Sequence, residues 1–250
     1  MTVYFIGAGP GAADLITVRG QRLLQHCPVC LYAGSIMPED LLALCPLDAR
    51  VVDTGPLTLE QIIDELTAAD AAGHDVARLH SGDPSLYSAL AEQCRRLDEH
   101  GIDYQVVPGV PAFAAAAAVL GRELTVPGVA QTVTLTRVAT LSTAMPAGED
   151  LGSLAGHGTV VLHLAAAQID TVVADLRAGG LAGDTPVAVV ACASWPTETV
   201  VRGTLDSIAT SLRLAGITKT AVIFVGDVLA AEGFTDSYLY STGRRRGTRH

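Results

Sequence analysis

The sequence has few charged residues, and one basic residue type is almost missing from it. Only 17% of the 250 residues are charged, and Lys219 is the only lysine among 16 basic residues, against 26 acidic ones. Proteins that bind a nucleic-acid backbone concentrate basic side chains on one face. The only basic cluster here is Arg244 to Arg246 with Arg249, in a terminal segment that we expect to be solvated. With a net charge of −10, the sequence argues against nucleic acid as a partner.

Long apolar runs are also absent. The longest, Ala112 to Leu120, is well short of the ~18 residues that a membrane helix needs, and no basic segment precedes an apolar one at the N-terminus. We therefore expect no membrane partner and a cytoplasmic location. With 49% hydrophobic residues, the chain can bury the core of one or two α/β domains.

The five cysteines are an odd number, which argues against a disulfide scaffold. Cys27 and Cys30 have a spacing found in zinc and redox sites, but no second Cys or His pair follows at zinc spacing. Redox motifs of this kind follow a strand, whereas here a predicted helix precedes the pair and a strand begins beside it. We predict buried structural thiols and no metal site.

The first half of the sequence alternates short β-branched runs with amphipathic segments. The predicted strands are Val3–Ile6, Val29–Tyr32, Val51–Asp53, Val76–His80 and Tyr104–Val107. The clearest predicted helix is Leu59–Ala72, because Thr58 and Gln61 form a capping box and Gly73 ends the segment. Strands that alternate with helices of this length predict βαβ units and a mostly parallel sheet.

The second half is richer in strand, so we predict a mixed sheet there. Its predicted strands are Gln131–Arg137, Thr159–Leu164, Val187–Ala191, Thr199–Arg202 and Ala221–Val225, and its predicted helices are Gln168–Ala178 and Leu205–Leu214. We predict an N-terminal α/β domain over 1–118, a C-terminal α/β domain over 119–242 and a flexible tail over 243–250. The segment Ala139–Gly148 is predicted to be a mobile loop.

Two Gly-rich turns follow predicted strands, which indicates one small-molecule site at the carboxyl ends of those strands. They are Gly7–Gly11 and Ser81–Pro84. For the second turn, a plain strand-to-helix turn with Asp83 as helix cap is an open alternative. A dinucleotide site is a further alternative, yet Pro10 removes a backbone donor, and Ala33-Gly34-Ser35 lacks the acidic residue that binds ribose.

Three motifs in the first half of the sequence together resemble one protein family. They are Val3–Gly11 with Asp14–Thr17 and Gly20, Arg78–Pro84, and Val107–Val110. As a set they closely resemble the corrin and porphyrin methyltransferases, and the resemblance continues to about Thr242. Within the family, Tyr32–Ser35 resembles one group of corrin methyltransferases. Relatives that methylate uroporphyrinogen III carry Tyr-Asp where this chain has Tyr32-Ala33, so we expect another acceptor.

The resemblance implies a tetrapyrrole methylase fold: two α/β domains with a cofactor cleft between them. It also implies S-adenosylmethionine as cofactor, S-adenosylhomocysteine as product, a tetrapyrrole substrate and a homodimer. Position by position, the implied cofactor contacts are Pro10, Ser81, Gly82, Asp83, Leu86, Pro111, Ala112, Leu164, Ala193, Thr220 and Ala221. For Leu164, Ala193 and Ala221, core packing is the alternative that the residues alone favour.

The residues for substrate and proton transfer are less well marked. We assign Tyr32, Ser35 and Arg137 to the substrate, Arg137 because a guanidinium binds carboxylates in a bidentate manner. The catalytic residue stays unknown: Ala33 has no basic group, and His80, beside the second turn, is either a base or structural. Methylation of another ring position is the alternative function within the family.

Overall fold

A computed structural model describes residues 1–139 and 144–238. The chain forms two compact units, Met1–Ala116 with Cys192–Thr197, and the described residues of Ala117–Ala191 and Glu198–His250. This division does not test independent folding, so the domains 1–118 and 119–242 stay predictions. The tail 243–250 and residues 140–143 of the loop Ala139–Gly148 lie outside the described residues.

The first unit is built on a five-stranded sheet in which every neighbouring pair is parallel, in the order β3-β2-β4-β1-β5. Its strands are β1 (Thr2–Gly7), β2 (Val29–Tyr32), β3 (Arg50–Asp53), β4 (Val76–His80) and β5 (Asp103–Val107). The predicted parallel sheet is confirmed. All of β4 is buried, as a central strand covered on both faces requires.

Helices cover both faces of this sheet. They are α1 (Val18–Leu24), α2 (Glu39–Leu42), α3 (Leu59–Ala71) and α4 (Leu90–His100); α5 (Ala112–Leu120) begins in the same unit. The capping box of α3 is confirmed, because Thr58 Oγ1 accepts from Gln61 N–H at 3.3 Å and Gln61 Oε1 accepts from Thr58 N–H at 2.8 Å. Leu66 of α3 and Leu97 of α4 are fully buried against one face of the sheet.

The second unit contains a five-stranded sheet in the order β6-β7-β10-β8-β9, and this sheet is mixed, as predicted. Its strands are β6 (Val133–Arg137), β7 (Thr159–His163), β8 (Pro186–Ala191), β9 (Thr199–Thr204) and β10 (Ala221–Val225). Only β6 and β7 are parallel; the other three pairs are antiparallel. The helices α6 (Leu151–Leu154), α7 (Ile169–Ala178) and α8 (Ile208–Leu214) complete the unit.

Several predicted boundaries in this unit are wrong by one or two residues: β6 begins at Val133, β8 at Pro186 and α7 at Ile169, and β9 ends at Thr204. Two further boundaries are wrong for a local reason. Strand β7 ends at His163, because Leu164 has a left-handed φ of 54° that no strand residue adopts. Helix α8 begins at Ile208 rather than Leu205, because a tight turn in which Ser207 N–H donates to Thr204 O precedes it. Within the described residues, no helix is long and apolar enough to cross a membrane.

Candidate functional site

The loops that follow β1 and β4 are joined by backbone hydrogen bonds. Ala8 N–H donates to His80 O at 2.8 Å, Gly9 N–H to Gly82 O at 3.2 Å, and Gly82 N–H to Gly9 O at 2.7 Å. Parallel neighbours end at one edge of a sheet, and open α/β sheets bind ligands at that edge. The structure therefore brings the two predicted Gly-rich turns into direct contact.

A third loop, after β5, packs against these two; its Pro111 was a predicted contact, but its Gly109 was not. A Cβ on Gly109 would lie 2.2 Å from Gly82 O, and a Cβ on Gly7 would lie 2.4 Å from Gly109 N. Such distances exclude any side chain, so both positions require glycine. The signal was present in the sequence as Pro108-Gly109 directly after a strand.

Asp83 links the second and third loops through its carboxylate. Its Oδ2 accepts from Gly109 N–H and its Oδ1 from Ser85 N–H, both at 2.8 Å. Partial burial raises the pKa of Asp83, but the hydrogen bonds from Ser85 and Gly109 outweigh it and hold the pKa below its ordinary value. The helix-cap alternative is wrong, because α4 begins only at Leu90.

The segment between Asp83 and α4 has unusual backbone conformations. Tyr87 and Ala89 have φ angles of 53° and 54°, which non-glycine residues rarely adopt and which cluster at functional sites. The predicted contact Leu86 is half-buried, and its N–H donates to Asp83 O at 3.2 Å. The turn is thus tightly closed beside the glycine loops.

The other predicted contacts of the first unit lie close to these loops. A Cβ on Gly82 would lie 3.6 Å from both Pro111 Cα and Ala112 N, at the start of α5. Pro10 is buried within the first turn. Ala193 is 7% exposed, and its segment, Cys192–Thr197, belongs to this unit although it follows β8.

Three predicted contacts of the second unit lie at one edge of its sheet. Because β7 and β10 are antiparallel, Leu164, just after β7, lies at the same edge as Thr220 and Ala221, at the start of β10. Leu164 and Thr220 have left-handed φ angles of 54° and 52°. Leu164 is 62% exposed, so core packing is the wrong explanation for it.

The predicted substrate residues are placed as follows. Tyr32 ends β2, half-buried, and its carbonyl accepts from Thr54 N–H at 2.7 Å. Ser35 lies in the 3-10 turn Gly34–Ile36, and its side chain is outside the described part of the structure. Arg137 ends β6, where its guanidinium donates to Val138 O and Ala144 O, each at 3.0 Å.

Two basic side chains of β4 are buried beneath the second turn. Arg78, 5% exposed, donates to Gln93 Oε1 and Thr54 Oγ1, both at 3.0 Å. Burial lowers the pKa of Arg78 to about 10. Burial, and then the charge of Arg78, lower the pKa of His80 to about 3, so His80 is neutral near pH 7.

His80 is expected to make folding stability depend on pH. Its folded pKa lies below the unfolded value of about 6.5, so below that pH the unfolded chain binds a proton that the folded chain does not. The free energy of unfolding should fall as pH falls from about 6.5 towards 3, by up to ~1.4 kcal/mol per pH unit. Urea unfolding at pH 7 and pH 5 measures this change. The difference in the free energy of unfolding between the two pH values should be smaller for His80→Gln than for the wild type. The exposed His74→Gln is the control; an unchanged difference in His80→Gln would contradict the assignment.

The two cysteines at Cys-x-x-Cys spacing are free thiols. Cys27 and Cys30 are buried, and burial raises the pKa of Cys27 to about 12. Over residues 1–139 and 144–238, no group of three His, Cys, Asp or Glu side chains could hold a metal ion.

Comparison with known proteins gives one family. The family model for tetrapyrrole (corrin/porphyrin) methylases matches residues 2–209. A precorrin-4 C(11)-methyltransferase of Mycobacterium tuberculosis is 75% identical over 245 residues, covering 98% of each chain. The solved structure of a cobalt precorrin-4 methyltransferase is 41% identical with a TM-score of 0.89, covering 91% of this chain and 95% of that one. A uroporphyrin-III C-methyltransferase from Thermus thermophilus, complexed with S-adenosylhomocysteine, is 30% identical with a TM-score of 0.77, covering 92% and 93%.

Proposed function

Because the chain belongs to the tetrapyrrole (corrin/porphyrin) methylase family, we propose that it transfers a methyl group from S-adenosylmethionine to C-11 of precorrin-4. The product would be precorrin-5, an intermediate of cobalamin biosynthesis. The observation that carries this proposal is the 75% sequence identity to a precorrin-4 C(11)-methyltransferase over 98% of each chain. The family match leaves the dinucleotide alternative without support.

The residues at the edge of the first sheet fit S-adenosylmethionine. Gly7, Gly82 and Gly109 bring backbone groups of three loops together, and no side chain on Gly7 or Gly109 could intrude. Leu86 and Pro111, which are both partly exposed, supply apolar surface beside them. A ligand with an adenosine and an amino-acid portion can be held by such backbone and apolar groups. We therefore assign Ser81, Gly82 and Asp83 to cofactor binding with Pro10, Leu86, Pro111 and Ala112.

The second unit supplies the remaining proposed contacts. Leu164, Thr220 and Ala221 share one sheet edge, and Leu164 and Thr220 have a left-handed backbone of the kind that clusters at functional sites. Ala193 is assigned with the contacts of the first unit, because its segment, Cys192–Thr197, belongs to that unit.

Positioning is the main contribution that this chain can make to the reaction. When bound, S-adenosylmethionine supplies a methyl group that is already activated for in-line displacement by an electron-rich carbon. Correct orientation of two reactants is worth about 7–11 kcal/mol, so no covalent protein nucleophile is required. Asp83 serves this end by fixing Gly109 against the second turn. We assign no general base, since a His80 pKa of about 3 makes that imidazole a weak proton acceptor.

Arg137→Ala is expected to weaken substrate binding selectively. The substrate carries carboxylates, and a guanidinium at the end of β6 can bind one in a charge-assisted pair. We expect the KM for the tetrapyrrole to rise about tenfold, while the Kd for S-adenosylhomocysteine stays unchanged. Steady-state kinetics and calorimetry measure the two constants. An equal loss of both would count against the assignment.

Two broader expectations accompany the function. We propose a homodimer located in the cytoplasm, on the resemblance to the family. Light scattering coupled to size exclusion tests the dimer, since a monomeric mass at micromolar concentration would overturn it.

The function is tested by anaerobic incubation with precorrin-4 and S-adenosylmethionine that carries a carbon-13 methyl group, with NMR of the product. A labelled methyl on C-11 is expected. Label on another carbon would be consistent with the family but would contradict methylation at C-11. Absence of methyl transfer would contradict the proposal that precorrin-4 is the methyl acceptor. A parallel incubation with cobalt-precorrin-4 is needed because the 41% identical solved structure is of an enzyme named for that acceptor.

A further inference from the structure

A short segment after β8 packs against the first Gly-rich turn. The segment Cys192–Thr197 belongs to the first unit, although β8 and β9 on either side of it belong to the second. Trp195 Nε1–H donates to Pro10 O at 3.0 Å, and Ser194 Oγ accepts from Ala12 N–H at 3.0 Å. Two side chains thus hold two backbone groups of one turn, across more than 180 residues of sequence.

The segment is shaped for this contact at a conformational cost. Cys192 and Ser194 have left-handed φ angles of 51° and 68°, and Trp195 N–H donates to Cys192 O at 2.9 Å, which closes a tight turn. Such conformations in non-glycine residues persist only where the surrounding structure compensates for them. The contacts to Pro10 and Ala12 are that compensation.

The indole also explains a glycine of the turn. A Cβ on Gly11 would lie 2.2 Å from Trp195 Nε1 and 3.0 Å from Ser194 Oγ. The two side chains therefore occupy the space that a residue with a side chain would need. Gly11 and Trp195 fit each other, and the pair fixes the path of the backbone around Pro10.

We propose that Trp195 and Ser194 are positioning residues for the cofactor. They hold the turn Gly9–Ala12 in its binding conformation, so that Pro10 meets S-adenosylmethionine without a further ordering cost. The inference rests on the proposed function, because it assumes that this turn binds the cofactor. It predicts that loss of either side-chain group weakens cofactor binding and leaves the KM for the tetrapyrrole unchanged.

The test compares Trp195→Phe, which keeps an aromatic ring but loses the N–H, with Ser194→Ala and with a control. The control Tyr104→Phe removes a hydroxyl of the same unit that donates to Asp98 at 3.4 Å, away from the turn. Calorimetric titration with S-adenosylhomocysteine should show a Kd about five- to tenfold higher for Trp195→Phe and about threefold higher for Ser194→Ala. Tyr104→Phe should bind as the wild type does.

Thermal unfolding and steady-state kinetics separate positioning from a general loss of stability. We expect a raised KM for S-adenosylmethionine, an unchanged KM for the tetrapyrrole, and a Kd for Tyr104→Phe that is unaffected by any drop in its melting temperature. If Trp195→Phe does not fold, Ser194→Ala carries the test, since it removes a single oxygen. Affinities within twofold of the wild type in the folded variants would overturn this inference and leave the proposed function standing. A wild type that does not bind S-adenosylhomocysteine would overturn the proposed function as well.

Discussion

Replacing Gly109 with alanine is expected to reduce binding of S-adenosylhomocysteine at least about a hundredfold, the largest effect that we predict. The new Cβ would lie 2.2 Å from Gly82 O and 2.7 Å from Gly7 Cα, and neither backbone atom can rotate away. The loops after β1, β4 and β5 must then separate, and the proposed cofactor contacts lie on those loops. Overpacking of this kind also costs ~1–3 kcal/mol of the free energy of unfolding.

Gly101→Ala is the matched control for this substitution. Gly101 ends α4 with a φ of 67°, and no atom lies within 4 Å of the position of its Cβ. Its replacement should cost ~1 kcal/mol through backbone strain and leave cofactor affinity unchanged. Calorimetric titration and urea unfolding measure both effects. An affinity of Gly109→Ala within threefold of the wild type would show that these loops do not form the cofactor site.

Asp83→Asn is expected to reduce cofactor affinity about tenfold to a hundredfold. The carboxylate accepts hydrogen bonds from Gly109 N–H and Ser85 N–H through its two oxygens. An amide can offer only one oxygen, so one backbone donor loses its hydrogen bond to a charged acceptor. The second and third loops then separate without any change of side-chain volume.

The same carboxylate predicts a dependence on acid. The folded pKa of Asp83 lies below its unfolded value of about 3.9, so its contribution to stability is present above about pH 4. The contribution is lost as pH falls through the folded pKa, and Asp83→Asn should lack this part of acid unfolding. Asp150→Asn is the control, because Asp150 Oδ1 accepts from Ser153 N–H at 2.9 Å in the other unit. Equal cofactor affinities for the two variants would contradict the role of Asp83.

Much of the fold could be predicted because its signals are local. The strands Val29–Tyr32, Val76–His80 and Ala221–Val225 have the predicted bounds, since each is a mainly apolar run ended by a turn or a polar residue. The start of α3 followed from the hydrogen-bonding capacity of Thr58 and Gln61 alone. Ends that are set by the backbone conformation of a single residue were less predictable, as the end of β7 before the left-handed Leu164 shows.

The candidate site was only partly predictable. The turns at Gly7–Gly11 and Ser81–Pro84 were recognised from glycine after a strand, but Gly109 was not assigned to the site. Its importance comes from the close approach of Gly7 and Gly82, which strand order decides. The sequence of Ser81–Asp83 was equally compatible with a ligand-binding turn and with the start of a helix. The structure shows instead that the Asp83 carboxylate accepts a hydrogen bond from Gly109 N–H.

The sequence by itself determined the α/β alternation, the parallel first sheet, the mixed second sheet and the two glycine turns, because these depend on side-chain patterns within a few residues. Only the tertiary structure decided that Trp195 meets Pro10 and that Asp83 meets Gly109. Those contacts join segments that are far apart in sequence. They form because strand order and the path of the chain bring particular backbone groups within hydrogen-bond distance, and no local pattern encodes that distance.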